Sequence, residues 1–304
     1  MILELKNIDK SFGEKEVLKG VSFTAEGGKA FGLLGRNGAG KTTSIRILMN
    51  VFPANGGEVL IDGKPIDYDK IGIGYLPEER GLYPKKLIID QLVYFAELKG
   101  MSAKDAVKAV DYWLSRLGMS EYRNKRLDTL SKGNQQKVQL AQTLLTSPQL
   151  IFFDEPFSGL DPVNAQILKD VIKEQIQEGK FVIFSSHQMS YVEEFCDDIA
   201  ILNHGDVVLS GGLKEIKREF GQNRLVLSSL GETPEELAKR LQEVFADLLD
   251  VEKVQKDRVI VRKKQDGAKA DILKRLVEQG VDLEYFGLYE PSLNDIFVEK
   301  AGDE

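Results

Sequence analysis

Cysteine is nearly absent from this chain: Cys196 is the only one in 304 residues. A lone thiol cannot close an internal disulfide, and such usage fits a reducing compartment. Cys196 falls in a helix-like segment with Tyr191, Val192 and Phe195, which reads as a buried structural thiol. Long apolar runs are also missing. Nothing approaches the roughly 18 residues that cross a bilayer. The most apolar stretches, 150–153 and 181–184, are short and read as buried strands. The opening Met1-Ile2-Leu3-Glu4-Leu5-Lys6 has neither the basic start nor the apolar core of a secretory signal. The expectation is a cytoplasmic protein, with any membrane crossing left to another polypeptide. An excess of basic charge is lacking too. The net charge is −7, and residues 219–304, with 19 acids and 13 bases, hold most of it. Neither part is a nucleic-acid footprint, and no nucleic-acid partner is expected.

What is present is ordered in blocks. Apolar and polar residues alternate through Leu3, Leu5, Ile8, Val17, Leu18, Val21 and Phe23, punctuated by glycines, as in short strands joined by turns. A buried strand at 31–34 leads into a glycine-rich loop and a helix over about 41–50. Further strands are expected at 58–62 and 71–75. From 87 to 127 the spacing turns helical, through Ile88, Leu92, Phe95 and Leu98, then Val107, Val110, Leu114 and Leu117. A second α/β stretch follows: strand 150–154, helix 163–178, strand 181–185, helix 189–196 and strands 199–203 and 206–209. After a break near 211–221 comes a small α+β module, with strands at 225–227 and 259–261 and helices at 234–249, 269–279 and 292–299.

Two segments carry chemistry. Gly35-Arg36-Asn37-Gly38-Ala39-Gly40-Lys41-Thr42-Thr43 has the spacing of a phosphate-binding loop between a strand and a helix. Its glycines let successive N–H groups turn toward an anion, and the helix start adds positive potential. Lys41 supplies charge for the β- and γ-phosphates. Thr42 offers a hydroxyl to Mg²⁺, and Thr43 can donate to a phosphate. The second segment, 150–155, is an apolar strand ending in Asp154 and Glu155. Beside a phosphate loop, Asp154 is placed to hold the metal or its water, and Glu155 to polarise an attacking water. The implied cofactors are ATP and Mg²⁺.

Leu130-Ser131-Lys132-Gly133-Asn134-Gln135-Gln136 resembles the signature loop of ABC ATPases, usually written LSGGQ; Lys132 and Asn134 depart from it. Ser131 is a natural N-cap for the amphipathic stretch that follows. Other elements of the family occur in order. Ser158-Gly159-Leu160-Asp161 resembles the loop that crosses to a partner subunit. His187 matches the switch histidine at the γ-phosphate, and Phe12 the aromatic that stacks on adenine. The loop glutamine of the family is replaced by Glu78, for which a metal contact and a solvated loop both stay open. His204, in a turn, receives no role. The tail, with Glu290-Pro291-Ser292-Leu293-Asn294-Asp295-Ile296-Phe297, resembles the extension of sodium- and drug-efflux exporter subunits.

The resemblance implies an α/β P-loop ATPase core of RecA type, with an antiparallel β subdomain and a helical insert at about 87–145. It places an ATP-binding domain at 1–218 and an accessory α+β domain at 219–304. It further implies that ATP is shared between Phe12, residues 35–43 of one subunit, and Ser131, Gly133 and Asp161 of a second. Catalysis falls to Glu155, His187 and Lys41, and metal binding to Thr42, Asp154 and Glu78. The expected partners are a second ATPase subunit, most simply another copy, and a separate transmembrane permease. Exposed residues among 82–92 would meet that permease unless they pack in the core. The expected function is the ATP-hydrolysing subunit of an exporter, peripheral on the inner face of the cell membrane. One rival is a soluble ABC ATPase of ribosomes or DNA, but the chain has neither a second cassette nor a long coiled coil. The other is a regulatory subunit without turnover, and the presence of Glu155 and His187 argues against it.

Overall fold

A computed structural model describes residues 1–79, 81–186, 188–265 and 267–302. The chain divides into one unit of Met1–Leu213 with Lys300–Glu304, and a second of Lys214–Glu299.

The first unit is built on two sheets. β1 (Ile2–Phe12) and β2 (Lys15–Glu26) form a long antiparallel hairpin, extended by β4 (Gly56–Ile61) and β5 (Lys64–Pro65) in the order β2-β1-β4-β5. The alternation in the sequence is that of strands with one buried face: Leu3, Leu5, Ile8, Leu18, Val21 and Phe23 all turn inward. The second sheet has the order β10-β9-β3-β8-β7-β6, from β3 (Ala30–Gly35), β6 (Ile73–Leu76), β7 (Leu150–Asp154), β8 (Phe181–Ser185), β9 (Asp198–Asn203) and β10 (Asp206–Gly212). β10 runs antiparallel to its neighbour and the other pairings are parallel. β3, β7 and β8 are buried along their whole length, which explains their unbroken apolar runs.

Alternate residues of these strands serve two cores. Phe31, Leu33, Leu150, Phe152, Phe181 and Ile183 join the buried residues of the antiparallel sheet and Ile45 and Leu48 of α1 (Lys41–Leu48). On the opposite face, a side chain at Gly32 would strike Val192, Cys196 and Ile199. Cys196 is buried there at the end of α6 (Met189–Phe195). Burial pushes its thiol well above the ordinary range, so it acts as a packed sulfur rather than a nucleophile.

Between β6 and β7 lies the helical stretch: α2 (Ile88–Leu98), α3 (Ala103–Arg116) and α4 (Lys132–Leu144), with two short 3₁₀ turns before α4. The residues at 82–92 divide between the two readings given above. Leu82, Ile88 and Leu92 are buried, whereas Tyr83 is 54% and Leu87 37% exposed. α5 (Pro162–Gln177) follows β7, capped by Asp161 and opened by Pro162.

The second unit contains α7 (Leu213–Gly221), β11 (Arg224–Ser229), α8 (Pro234–Val244), β12 (Leu249–Val254), β13 (Val259–Lys263), α9 (Ala268–Glu278), β14 (Leu283–Leu288) and α10 (Leu293–Ala301). Its sheet, in the order β12-β13-β11-β14, is antiparallel throughout. Leu225, Leu227, Leu237, Leu241, Phe245, Ile272 and Leu276 make its core. Thr233 and Glu236 close a capping box at the start of α8.

Besides α7, which fills the segment expected to be a break, and β12, which the pattern does not announce, two further departures have a visible cause. The helix expected to 249 stops at Val244. Arg275 donates to the Val244 carbonyl and bridges the Asp247 carboxylate at 2.7 and 3.0 Å, holding a turn where the apolar spacing would have continued a helix. Leu248 lies in that turn, and Leu249 begins β12. β14 is a strand that the pattern did not announce, because it lies at a sheet edge and most of its residues stay accessible.

Candidate functional site

The loop before Lys41, and the pair Asp154 and Glu155, lie at the carboxyl ends of the parallel strands β3 and β7. β3 ends at Gly35, and the loop from 36 to 40 delivers the chain into α1. Only glycine fits at Gly40: its φ is +111°, and a Cβ would sit 2.5 Å from Leu18 Cδ2. Gly35 is equally constrained, with a Cβ falling 2.6 Å from the Leu202 carbonyl. The loop is therefore clamped between β2 and β9. Lys41 Nζ folds back on it, donating to the carbonyls of Gly35 at 2.7 Å and Arg36 at 3.2 Å. Burial pushes the Lys41 ammonium below the usual lysine range, while Glu155, Asp154 and Glu78 act in the opposite direction. The three carboxylates are thus electrostatic neighbours of the phosphate-loop lysine.

A cavity of about 590 Å³ opens over this loop, lined by Phe12, Lys15, Glu16, Val17 and Lys19 of the hairpin region, by Arg36, Asn37, Gly38, Gly40, Lys41, Thr42 and Thr43, and by His204. Phe12 is half exposed and held edge-on by Phe52 at 5.4 Å. One ring face can therefore receive a planar ligand. His204 had no role on sequence grounds. It reaches the cavity because its turn is tied to both walls: Lys19 N–H donates to the Gly205 carbonyl, and Gly205 N–H to the Ala39 carbonyl. No local signal could have revealed that.

Asp154 ends β7 and Glu155 follows it, and both are 7% exposed. Two serines at the end of β8 hold them in register. Ser185 Oγ donates to Asp154 Oδ1 at 2.5 Å, and Ser186 Oγ to Glu155 Oε2 at 3.0 Å. Tyr75 of β6 donates to Asp154 Oδ2 at 3.2 Å. Glu155 adopts a left-handed backbone, φ +47°, which turns the chain just past the strand end. Glu78 is exposed two residues beyond β6. His187 lies outside the described residues. Among the described residues, no group of three or more His, Cys, Asp or Glu side chains could hold a metal alone. Thr42 and Asp154 offer hard oxygens but few of them, the donor set of an ion that takes its remaining ligands from phosphates and water.

Ser131, Gly133 and Asp161 are not among the residues lining the cavity. They form a group of their own within the same unit. Ser131 caps α4, accepting from the Asn134 N–H. Asp161 caps α5, accepting from the N–H groups of Val163 and Asn164 at 3.0 Å. A Cβ at Gly133 would lie 2.6 Å from the Asn164 amide nitrogen, so the start of α4 rests directly on the start of α5.

Comparison with known proteins accords with this geometry. The family model for ABC transporters matches residues 18–158, and the model for the C-terminal domain of DrrA1-3-like ATP-binding proteins matches 211–301. The uncharacterized ABC transporter ATP-binding protein YhaQ of Bacillus subtilis is 41% identical over 302 residues, 99% of each chain. The ABC transporter ATP-binding protein NatA of the same organism is 32% identical over 242 residues, covering 75% of this chain and 98% of that protein. The linearmycin resistance ATP-binding protein LnrL, also of Bacillus subtilis, is 31% identical over 229 residues, 74% of each. A solved ATP-binding subunit of an ABC transporter superposes with a TM-score of 0.66 at 29% identity, covering 73% of this chain and 94% of that one. The chain belongs to the ATP-binding proteins of ABC transporters, and is a P-loop ATPase cassette followed by a DrrA-like C-terminal domain.

Proposed function

We propose that this chain is the motor subunit of an exporter, working as a dimer in which each ATP is held between the phosphate loop of one copy and the signature loop of the other. The observation that carries this reading is the separation of two half-sites in one chain. The cavity over Lys41 lacks Ser131 and Gly133, which form a second helix N-terminus elsewhere in the unit. A helix start with a serine cap and a bare glycine suits a phosphate, and a second chain is needed to bring it to one.

In this reading Phe12 stacks on the adenine, and the N–H groups and side chains of 35–43 hold the phosphates. Lys41 balances charge on the β- and γ-phosphates. Glu155 orients and deprotonates the attacking water, and His187 contacts the γ-phosphoryl group. Asp161 faces the partner copy. Mg²⁺ would be held by Thr42 and Asp154, with Glu78 as a further candidate oxygen donor, and would supply charge neutralisation of the phosphate oxygens. Loss of the γ-phosphate removes the bridge and lets the dimer open. The drug-resistance relative LnrL and the DrrA-like domain favour export. Among the described residues no helix is long and apolar enough to cross a membrane, so we assign the crossing to a permease and this subunit to its cytoplasmic side. The exposed Tyr83 and Leu87 are the contacts we assign to that permease.

Complementation tests the shared site. Lys41→Ala chains lack one half and Ser131→Arg chains the other. Each alone should fail to dimerise with ATP. Their mixture holds one intact site per pair and should regain nucleotide-dependent dimerisation by sedimentation. A mixture no better than either parent would refute the composite site.

A further inference from the structure

We infer that Tyr75 is a positioning residue for the metal: its phenol, together with Ser185, holds the Asp154 carboxylate in the orientation that receives a nucleotide-borne divalent cation. This rests on the reading of Asp154 as the metal carboxylate. The basis is the way the two flanking strands divide the carboxylate between them. β7 pairs with β6 on one side and β8 on the other, with Tyr75 opposite Phe152 and Ser185 opposite Asp154. From β6, Tyr75 donates to Oδ2 at 3.2 Å, and from β8, Ser185 donates to Oδ1 at 2.5 Å. Each carboxylate oxygen has two acceptor directions, so one on each is left for a cation or its water. With a donor on either side, the carboxylate cannot rotate about its last bond without losing a hydrogen bond.

Tyr75 is itself held. Its carbonyl accepts from Thr143 Oγ1 at 3.1 Å. The neighbouring Gly74 leaves no room for a Cβ between Pro148 and Thr143, at 2.8 Å from each. Its ring packs on the core beneath the sheet. Partners that orient a ligand without touching the metal commonly change metal affinity by about 10–100-fold when removed. Ser185 still holds one oxygen after loss of the phenol, so the effect falls at the lower end.

The test is Tyr75→Phe, which keeps the ring and deletes the donor, read by equilibrium binding rather than turnover. Mn²⁺ is titrated by electron paramagnetic resonance into protein saturated with AMP-PNP, and AMP-PNP binding is measured separately in EDTA. We expect half-saturating Mn²⁺ to rise about tenfold, with metal-free AMP-PNP affinity unchanged. Mn²⁺ affinity within twofold of wild type, or tighter, would overturn the proposal. So would an equal loss of metal-free AMP-PNP binding, which would make Tyr75 a general structural support. Asp154→Asn is run in parallel. If it weakens Mn²⁺ binding while Tyr75→Phe does not, the positioning role alone fails; if neither variant does, the metal assignment of Asp154 falls with it.

Discussion

Replacing Glu155 by glutamine removes one charge while leaving its surroundings in place. The side chain is 7% exposed, and its Oε2 accepts from Ser186 at 3.0 Å, a bond that an amide oxygen can keep. Glutamine bears the left-handed backbone at 155 no worse than glutamate, so folding stability should shift by no more than about 1 kcal/mol. Catalysis is another matter. A positioned general base contributes about 10²–10⁴-fold, or roughly 3–5 kcal/mol of barrier. Binding should move the other way. Glu155 is the strongest electrostatic counterweight to Lys41 among its neighbouring carboxylates, and its negative charge opposes an incoming triphosphate. The variant should therefore hold ATP as tightly as wild type or more tightly, while phosphate release at saturating Mg-ATP falls at least a hundredfold. Turnover within tenfold of wild type would refute the assignment of Glu155. Joint loss of turnover and binding would instead show that its charge holds the site together.

Phe12→Ala should weaken nucleotide binding by about 1–3 kcal/mol through loss of base stacking, while affinity for inorganic triphosphate, which has no base, stays constant; competitive displacement of a fluorescent nucleotide measures both. Phe245→Ala, in the core of the second unit and fully buried, should cost about 3–5 kcal/mol, read as a lower urea midpoint for that unit, with nucleotide binding retained.

The phosphate loop was legible because it is a local device: its glycines, lysine and threonines are contiguous, and the flanking strand and helix are written in their own periodicities. Asp154 and Glu155 were legible for the same reason. What holds them was not. Ser185, Ser186 and Tyr75 lie 31 or 79 residues away in sequence and meet the carboxylates only because β6, β7 and β8 are neighbours in the sheet. His204 carries no local signal for a similar reason, since its place at the cavity depends on a turn tied to two distant segments. In the second unit, spacing was misleading after Val244. Leu248 continues the apolar stripe, but a long-range contact from Arg275 decides that the chain turns there. β14 shows little contrast between its two faces, so periodicity had nothing to detect.

The near-contact between Gly133 and Asn164 ties two loops that sequence treats as separate motifs. A methyl group at 133 would press on the Asn164 carboxamide, which donates to the Asp161 carboxylate that caps α5, so the two helix starts are coupled through this side-chain contact. The two motifs consequently adjoin as one continuous surface rather than two independent fingers. Its shape is inherited from the packing of a single pair of helices, and a substitution at either motif will be felt at both.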